Sequence, residues 1–134
     1  MNEARVYFGL RGDEFPLSEV TQLLGITPTK TSVKGERIPG KIPINTTWDY
    51  STEKKVNKYI DVGEMASSVI NQFVPIKKDV LNVMSKYGLK ASLTVVLAIS
   101  TDDDTSTPAL YFNADTVKFL GEVGATIDID TYTN

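Results

Sequence analysis

The C-terminal part of the chain carries two aspartates, Asp128 and Asp130, whose spacing suits acid–base chemistry. They alternate with isoleucines in residues 125–132, a pattern that is typical of a β-strand. Residues two apart on a strand share a face and lie roughly 7 Å apart, and this separation suits the carboxylate pair of glycoside hydrolysis. The alternative is the polar face of an edge strand. It is favoured because the sequence indicates no apolar pocket that would raise the pKa of either carboxyl group.

A basic segment that contains glycine, residues 30–41, is the candidate anion site. Lys34 and Arg37 flank Gly35 and Glu36 in this segment, and such side chains bind carboxylates and phosphates. The GxxxxGK[ST] spacing of a phosphate-binding loop is absent. A solvated surface loop is therefore the favoured alternative.

The only tryptophan, Trp48, shares one face of a predicted strand with Tyr50. Two interpretations are open, since the pair forms either an exposed binding platform or part of the packed face of a sheet. Packing is favoured, although a tryptophan between a basic loop and a charged connection is also where a binding hot spot is expected.

A run of three aspartates, residues 102–104, offers oxygen ligands for Mg²⁺ or Ca²⁺. The run lacks the glycine at the sixth loop position and the distal glutamate of an EF-hand. A solvated turn is the favoured interpretation, and we expect no metal and no other cofactor.

The chain of 134 residues contains no histidine and no cysteine. A Ser-His-Asp triad, a histidine-ligated metal, a thiol nucleophile and a disulfide are therefore excluded. With 41% hydrophobic and 23% charged residues, the composition is that of a globular protein. The length predicts a single domain over residues 1–134.

The net charge of −3 is unevenly distributed along the chain. Residues 28–58 hold seven basic and three acidic groups, a balance of +4, whereas residues 101–134 hold seven acidic groups and one lysine, a balance of −6. Either the two segments form a bipolar surface that steers a charged partner, or they are two solvated loops of opposite sign, which is favoured. Whether the two segments face each other or a partner stays open. An acidic chain of this kind disfavours nucleic-acid binding.

Location and membrane association are predicted from the apolar runs. The N-terminus has no charged leader followed by an apolar stretch, so we expect a cytoplasmic protein. The longest apolar run, residues 95–99, is far shorter than a membrane-spanning helix, and no membrane partner is expected.

Alternation and helical spacing predict the elements that position these candidates. Period-two patterns predict strands at residues 4–11, 46–51, 89–100, 109–112 and 125–132, with a short edge strand at 31–33. A short helix follows the first strand, with Leu17, Val20, Leu23 and Leu24 as its buried stripe. Two amphipathic helices over residues 62–73 and 76–87 are separated by Val74-Pro75, because a residue before proline avoids the helical region. A last helix, capped by Asn113, buries Val117, Leu120 and Val123.

A faint internal repeat supports a particular architecture. Phe15, Val20 and Leu23 have the same spacing as Phe112, Val117 and Leu120, and each set follows a predicted strand. Two βαβ-like units split by a helical hairpin predict an α+β, ferredoxin-like two-layer sandwich. Its mostly antiparallel sheet is covered on one face by helices.

Several short motifs resemble a family of uncharacterised bacterial proteins, DUF4279. These motifs are Leu23-Leu24-Gly25-Ile26-Thr27-Pro28, Lys34-Gly35, Trp48-Asp49-Tyr50-Ser51-Thr52, Leu120, Gly124-Ala125 and Asp128-Ile129-Asp130-Thr131-Tyr132. They occur in the family's order over nearly the whole chain, although the segment from Ile38 to Thr47 is longer than the family usually has. The resemblance implies an α+β domain and supplies no activity and no site residues.

The favoured function is non-catalytic binding of a protein partner. The absence of a catalytic motif and the two charged segments motivate this expectation, and the kind of small bacterial protein that the chain resembles adds the hypothesis of an immunity or antitoxin-type inhibitor. The alternative is a small-molecule or anion binder, or a carboxylate-based hydrolase, that uses residues 30–41 and the Trp48 strand. A homodimer through an exposed sheet edge is a third expectation.

Overall fold

A computed structural model describes all 134 residues of the chain as one sheet with helices packed against it. The strands are β1 (Asn2–Gly12), β2 (Lys30–Ser32), β3 (Thr46–Ser51), β4 (Lys55–Asn57), β5 (Lys90–Ile99) and β6 (Thr126–Thr133). The helices are α1 (Leu17–Leu24), α2 (Val62–Ile70), α3 (Lys77–Tyr87) and α4 (Ala114–Val123). A 3-10 turn, Val74–Ile76, joins α2 to α3 at the predicted proline break.

The strands form one six-stranded sheet, in which five strands follow the order β2-β3-β1-β5-β6 and β4 pairs with β1 outside this order. The long central strand β1 pairs antiparallel with β5 on one side and with both β3 and β4 on the other. Only β5 and β6 are parallel neighbours, and α4 lies between them in the chain. The predicted mixed α+β architecture with a mostly antiparallel sheet is thus confirmed.

Alternation along the strands decides which face of the sheet is packed. In β1 the side chains of Val6, Phe8 and Leu10 are fully buried, while Arg5 and Tyr7, which alternate with them, point to the other face. The helices contribute their apolar stripes to the same packed face, so that 24 residues form one apolar core. The second face, which we call the open face, has no helix over it.

Local capping explains where several helices begin and end. Asn113 accepts a hydrogen bond of 2.8 Å from the backbone N–H of Thr116 at the start of α4, as predicted. Asp61 does the same for α2 through the N–H of Glu64, at 3.0 Å. Gly88 ends α3 with a φ of 64°, a conformation that favours glycine.

The predicted strand at residues 109–112 is wrong. This segment makes a single bridge from Ala109 to Asp61, through hydrogen bonds with Ile60 and Val62. It therefore packs along the beginning of α2, where the ring of Tyr111 lies against Gly63. The apolar residues that suggested a strand cover a helix instead of extending the sheet.

The burial predicted for two residues of the helix stripes is also wrong. Leu23 in α1 is 45% exposed and Val117 in α4 is 52% exposed. Phe119, which the stripe of α4 omitted, is buried and packs edge-on against Phe8. The buried positions of α4 follow the i, i+3, i+4, i+7 spacing, which Val117 does not fit; they are Thr116, Phe119, Leu120 and Val123.

No helix of the structure combines the length and the apolarity that a bilayer crossing would require.

Candidate functional site

The open face carries most of the polar groups that the strands position together. Tyr7 and Arg11 lie on it from β1, Asp49 from β3, and Asp128 and Asp130 from β6. Lys30 in β2 is paired with Asp49 in the register of the sheet. The folded sheet thus gathers residues from four strands that are far apart in the sequence.

Asp49 lies on β3, next to the edge strand β2, and is the most unusual ionisable group of the chain. It lies opposite Gly9 in the β1–β3 register, and a Cβ atom at Gly9 would overlap the Asp49 carboxylate. Glycine at position 9 therefore makes the room into which the side chain of Asp49 folds down onto the sheet.

Burial raises the pKa of the Asp49 carboxyl group to about 6, because desolvation penalises the charged form more than the nearby Lys30 and Arg5 favour it. None of the ion pairs of the structure includes Asp49. A carboxyl group with such a pKa changes its protonation state close to neutral pH, and it can donate or accept a hydrogen bond accordingly.

Three adjoining hollows of the open face share Tyr7 and Asp49 in their walls. The first, of about 380 Å³, extends towards β6 and includes Arg11, Asp128 and Asp130. The second, of about 470 Å³, extends under residues 41–45 and includes Lys30. The third, of about 140 Å³, lies towards Arg5. Together they make a shallow, polar surface with Asp49 at its centre.

The charges of this surface are ordered from one edge of the sheet to the other. Cations lie on the β2 side, where Lys30 and Lys41 line the second hollow, and carboxylates lie on the β6 side. The basic segment 28–58 includes the edge strand β2, and the acidic segment 101–134 includes the opposite edge strand β6. They also meet at one point, where Lys58 pairs with Asp104 at 2.9 Å.

Asp128 and Asp130 lie on one face of β6, opposite Thr94 and Val96 of β5, and both side chains are exposed. Three strand spacings separate β6 from β3, which amounts to about 14 Å. The carboxylates of a glycoside hydrolase lie roughly 5–9.5 Å apart. The geometry therefore disfavours an acid–base pair between Asp49 and either aspartate of β6, although all three can contact one bound molecule.

The structure places Lys34 and Arg37 in the loop of residues 33–45, outside the three hollows. Lys34 forms an ion pair with Asp13, and its backbone N–H donates to Thr46 Oγ1 at 3.1 Å. Arg37 is exposed. Of this basic loop, Lys41 is the cation that reaches the open face, and the sequence analysis did not single it out.

Trp48 and Tyr50 point away from the open face, which fits the favoured packing interpretation. Trp48 is fully buried, its Nε1–H donates to Thr21 Oγ1 at 3.0 Å, and its ring lies edge-on to Phe73. Tyr50 is partly buried against the same phenylalanine. Neither ring forms an exposed binding platform.

The loop of residues 33–45 exposes an unusual number of aliphatic side chains. Ile44 is 82% exposed and Ile42 is 65% exposed, and Val33 and Ile38 are exposed as well. The loop is nevertheless fixed, because Pro43 is buried, Gly35 N–H donates to the Pro43 carbonyl and Ile38 bridges Lys41. Exposed apolar side chains that lie close together are typical of interaction surfaces.

The remaining candidates show no metal-binding geometry. Asp102 and Asp104 lie in an exposed turn, where Asp104 pairs with Lys58 and Asp102 lies 4.0 Å from the N-terminal amine. No group of three or more acidic side chains is arranged to hold a metal ion.

Asp49 is the main residue that sequence reasoning missed. Its neighbours Trp48 and Tyr50 lie on one face of the strand, and alternation puts Asp49 on the opposite face, beside Tyr7 and Arg11 of β1. This alternation is a signal in the sequence that predicts the face on which Asp49 lies. The burial of Asp49 was not predictable, since it depends on Gly9, which lies 40 positions away in the chain and opposite it in the sheet.

Comparison with known proteins identifies one family. The model of a domain of unknown function, DUF4279, matches residues 2–134, which is essentially the whole chain. No curated protein and no solved structure gives a significant match.

Proposed function

The chain belongs to the DUF4279 family, whose function is unknown, and we propose that it is a non-catalytic protein-binding module. The partner contacts the basic loop, residues 33–45, together with the open face beside it. The observation that carries this proposal is the exposure of Ile42 and Ile44 in an ordered loop. Apolar anchors surrounded by charged groups are typical of the centre of a protein interface.

The charges near these anchors indicate the partner's chemistry. Arg37 and Lys41 lie in the same loop and Lys30 in the adjoining strand, so the contact surface is basic around its apolar centre. A partner with an acidic rim and an apolar recess is complementary to it, and opposite charges accelerate the encounter. An immunity or antitoxin-type inhibitor, acting on a cytoplasmic enzyme of a bacterial cell, works through such a contact without chemistry of its own.

The test is affinity capture from the source cell with matched surface variants as bait. We expect the wild-type protein to capture one stoichiometric partner, and Ile42→Ser combined with Ile44→Ser to lose it. Arg37→Glu should weaken the capture, and high salt should weaken it for the wild type. Asp102→Asn, on the exposed turn at the other charged segment, is the control and should capture normally. Equal capture by the isoleucine variant and the wild type, or no partner at any salt concentration, contradicts the proposal.

A second candidate function is small-molecule binding at the Asp49 hollow. It is favoured by one observation, since Arg11, Asp49 and Asp128 surround a hollow of about 380 Å³, a size within the range of ligand pockets. A ligand with both an ammonium and a carboxylate group matches these charges. Thermal-shift titration with zwitterionic amino acids should raise Tm for the wild type and not for Asp49→Asn, and the absence of any shift rules this candidate out.

We also propose a ferredoxin-like arrangement within the single α+β domain. Its support is the order β2-β3-β1-β5, in which α1 follows β1 and the α2–α3 hairpin precedes β5. In this proposal α4 and β6 are an addition at one edge. An experimental structure that gives another strand order would contradict it.

A further inference from the structure

The two edges of the sheet are built very differently. At one edge β2 has only three residues, and the following loop carries prolines and lysines, which are features that block pairing with another strand. At the other edge β6 has eight residues, without proline, glycine or lysine. All eight are exposed, and only β5 pairs with this strand. One whole row of β6 backbone groups is therefore free to pair.

The side chains of β6 would present two distinct faces to an added strand. Ile127 and Ile129, which are 39% and 40% exposed, lie on the packed face, in register with Leu93 and Val95 of the core. Asp128 and Asp130 lie on the open face. An extended segment laid along β6 would cover the isoleucines on one side and meet the carboxylates on the other.

From this arrangement we propose that β6 is a docking edge for an extended segment of a partner protein, in which basic residues alternate with apolar ones. Main-chain hydrogen bonds to the free edge supply the attachment, and the alternating side chains supply the selectivity. This surface lies at the opposite edge of the sheet from the basic loop, so the inference stands independently of the function proposed above.

A second copy of the chain fits this edge poorly. Antiparallel pairing of two β6 strands about a twofold axis keeps each side chain on the face that it occupies in the single chain. Asp128 and Asp130 would then lie on the same face as the carboxylates of the second copy, and like charges opposite each other on neighbouring strands are destabilising. In the same geometry, the basic side chains of a partner segment would attract the carboxylates of Asp128 and Asp130.

The test uses three short peptides, blocked at both ends and labelled for fluorescence anisotropy. The first alternates lysine with valine over eight residues, the second alternates glutamate with valine, and the third is the lysine peptide with proline at its two central valines. We expect the intact protein to bind the lysine peptide, to bind the glutamate peptide at least about tenfold more weakly, and to bind the proline peptide hardly at all.

Charge reversal separates this edge from the rest of the surface. Asp128→Lys combined with Asp130→Lys should invert the preference, so that the glutamate peptide binds more tightly than the lysine peptide. Both positions are exposed, and Asp102→Lys with Asp103→Lys provides a control of equal charge change that should keep the preference for lysine. Backbone amides of β6 should become protected from hydrogen exchange when the lysine peptide is bound.

Four results would overturn the inference. They are equal binding of the lysine and glutamate peptides, an unchanged preference after charge reversal at β6, undiminished binding of the proline peptide, and a wild-type dimer in sedimentation whose β6 amides are protected from hydrogen exchange. Affinity capture with the Ile42 and Ile44 variants tests only the basic loop, whereas the peptides test only β6. Failure of the proposed function is therefore distinguishable from failure of the inference about β6.

Discussion

At the scale of single residues, Asp49 shows how a strand position can change the chemistry of an ordinary carboxyl group. Its partner across the sheet is Gly9, and the absence of a side chain there lets the carboxylate lie against the backbone of β1. The same group on β6, as Asp128, stays in solvent. Residue type alone therefore does not decide which aspartate is buried, because the neighbour across the sheet decides it.

The raised pKa of Asp49 predicts a particular pH dependence of stability. An aspartate in the unfolded chain ionises near pH 4, whereas folding raises the pKa of Asp49 to about 6. Between these values the folded protein binds more protons than the unfolded chain, so stability falls as the pH rises through the folded pKa. We expect Asp49→Asn to stabilise the protein at pH 8 by roughly 1–2 kcal/mol, after allowance for partial exposure, and to have little effect at pH 3.5.

Urea denaturation at the two pH values measures this difference. Asp128→Asn makes the same chemical change on the exposed edge strand and is the matched control, with an expected effect within about 0.5 kcal/mol at either pH. If Asp49→Asn destabilises the protein equally at pH 3.5 and pH 8, the side chain has a structural role that ionisation does not oppose.

At the scale of elements, the starts of the helices differ in how they are capped. Pro16 at the beginning of α1 makes no side-chain cap, whereas Asp61 and Asn113 each accept a backbone hydrogen bond at the start of α2 and α4. In α4, which connects the parallel strands β5 and β6, the C-cap Gly124 leads into β6, whereas the Asn113 cap stabilises the opposite end of the helix.

Removal of this cap is expected to have a defined cost. Asn113→Ala loses the hydrogen bond to the Thr116 N–H and should lower the free energy of unfolding by about 1 kcal/mol. Asn113→Asp keeps a hydrogen-bond acceptor at the same place and should lower the free energy of unfolding much less. Urea denaturation with unchanged m values measures both. Equal losses for the two variants would mean that the contact of Asn113 with Ser67, at 3.3 Å, matters more than the cap.

Local sequence patterns predicted the helices and strands themselves better than they predicted which elements pack against one another. The alternation in β1, β3 and β5 and the helix caps were sufficient, since these signals lie within one element. Residues 109–112 have the apolar character of a strand, but their neighbour is the start of α2, a contact that no local pattern contains. The open face was missed for the same reason, because its residues come together only through strand order.

At the scale of the whole molecule, the net charge of −3 combines one segment with a balance of +4 and another with a balance of −6, and the remaining residues contribute −1. The basic edge exposes isoleucines, and the acidic edge exposes a free strand. The two segments meet at the Lys58–Asp104 pair. The two contact surfaces that we propose lie on opposite sides of the sheet, one beside β2 and the other at β6, and they differ in chemistry.

The carboxylates of β6 also have a consequence for self-association. A long free edge strand is a template for pairing with another copy, and charges on such a strand oppose that pairing. We expect the wild-type chain to sediment as a monomer at neutral pH. Asp128→Asn combined with Asp130→Asn should form dimers or larger species at high micromolar concentration, because the repulsion is removed while the backbone groups of β6 stay free.

Sedimentation velocity over a concentration series measures this difference, and hydrogen exchange locates the contact. Protection of residues 126–133 in the associated variant would identify β6 as the pairing edge. Asp102→Asn with Asp103→Asn removes the same charge from the exposed turn and should leave the protein monomeric. If the control associates equally, net charge is what opposes association. If only the β6 variant associates, the position of the two carboxylates on the edge opposes it, and this position keeps the strand available for a basic partner.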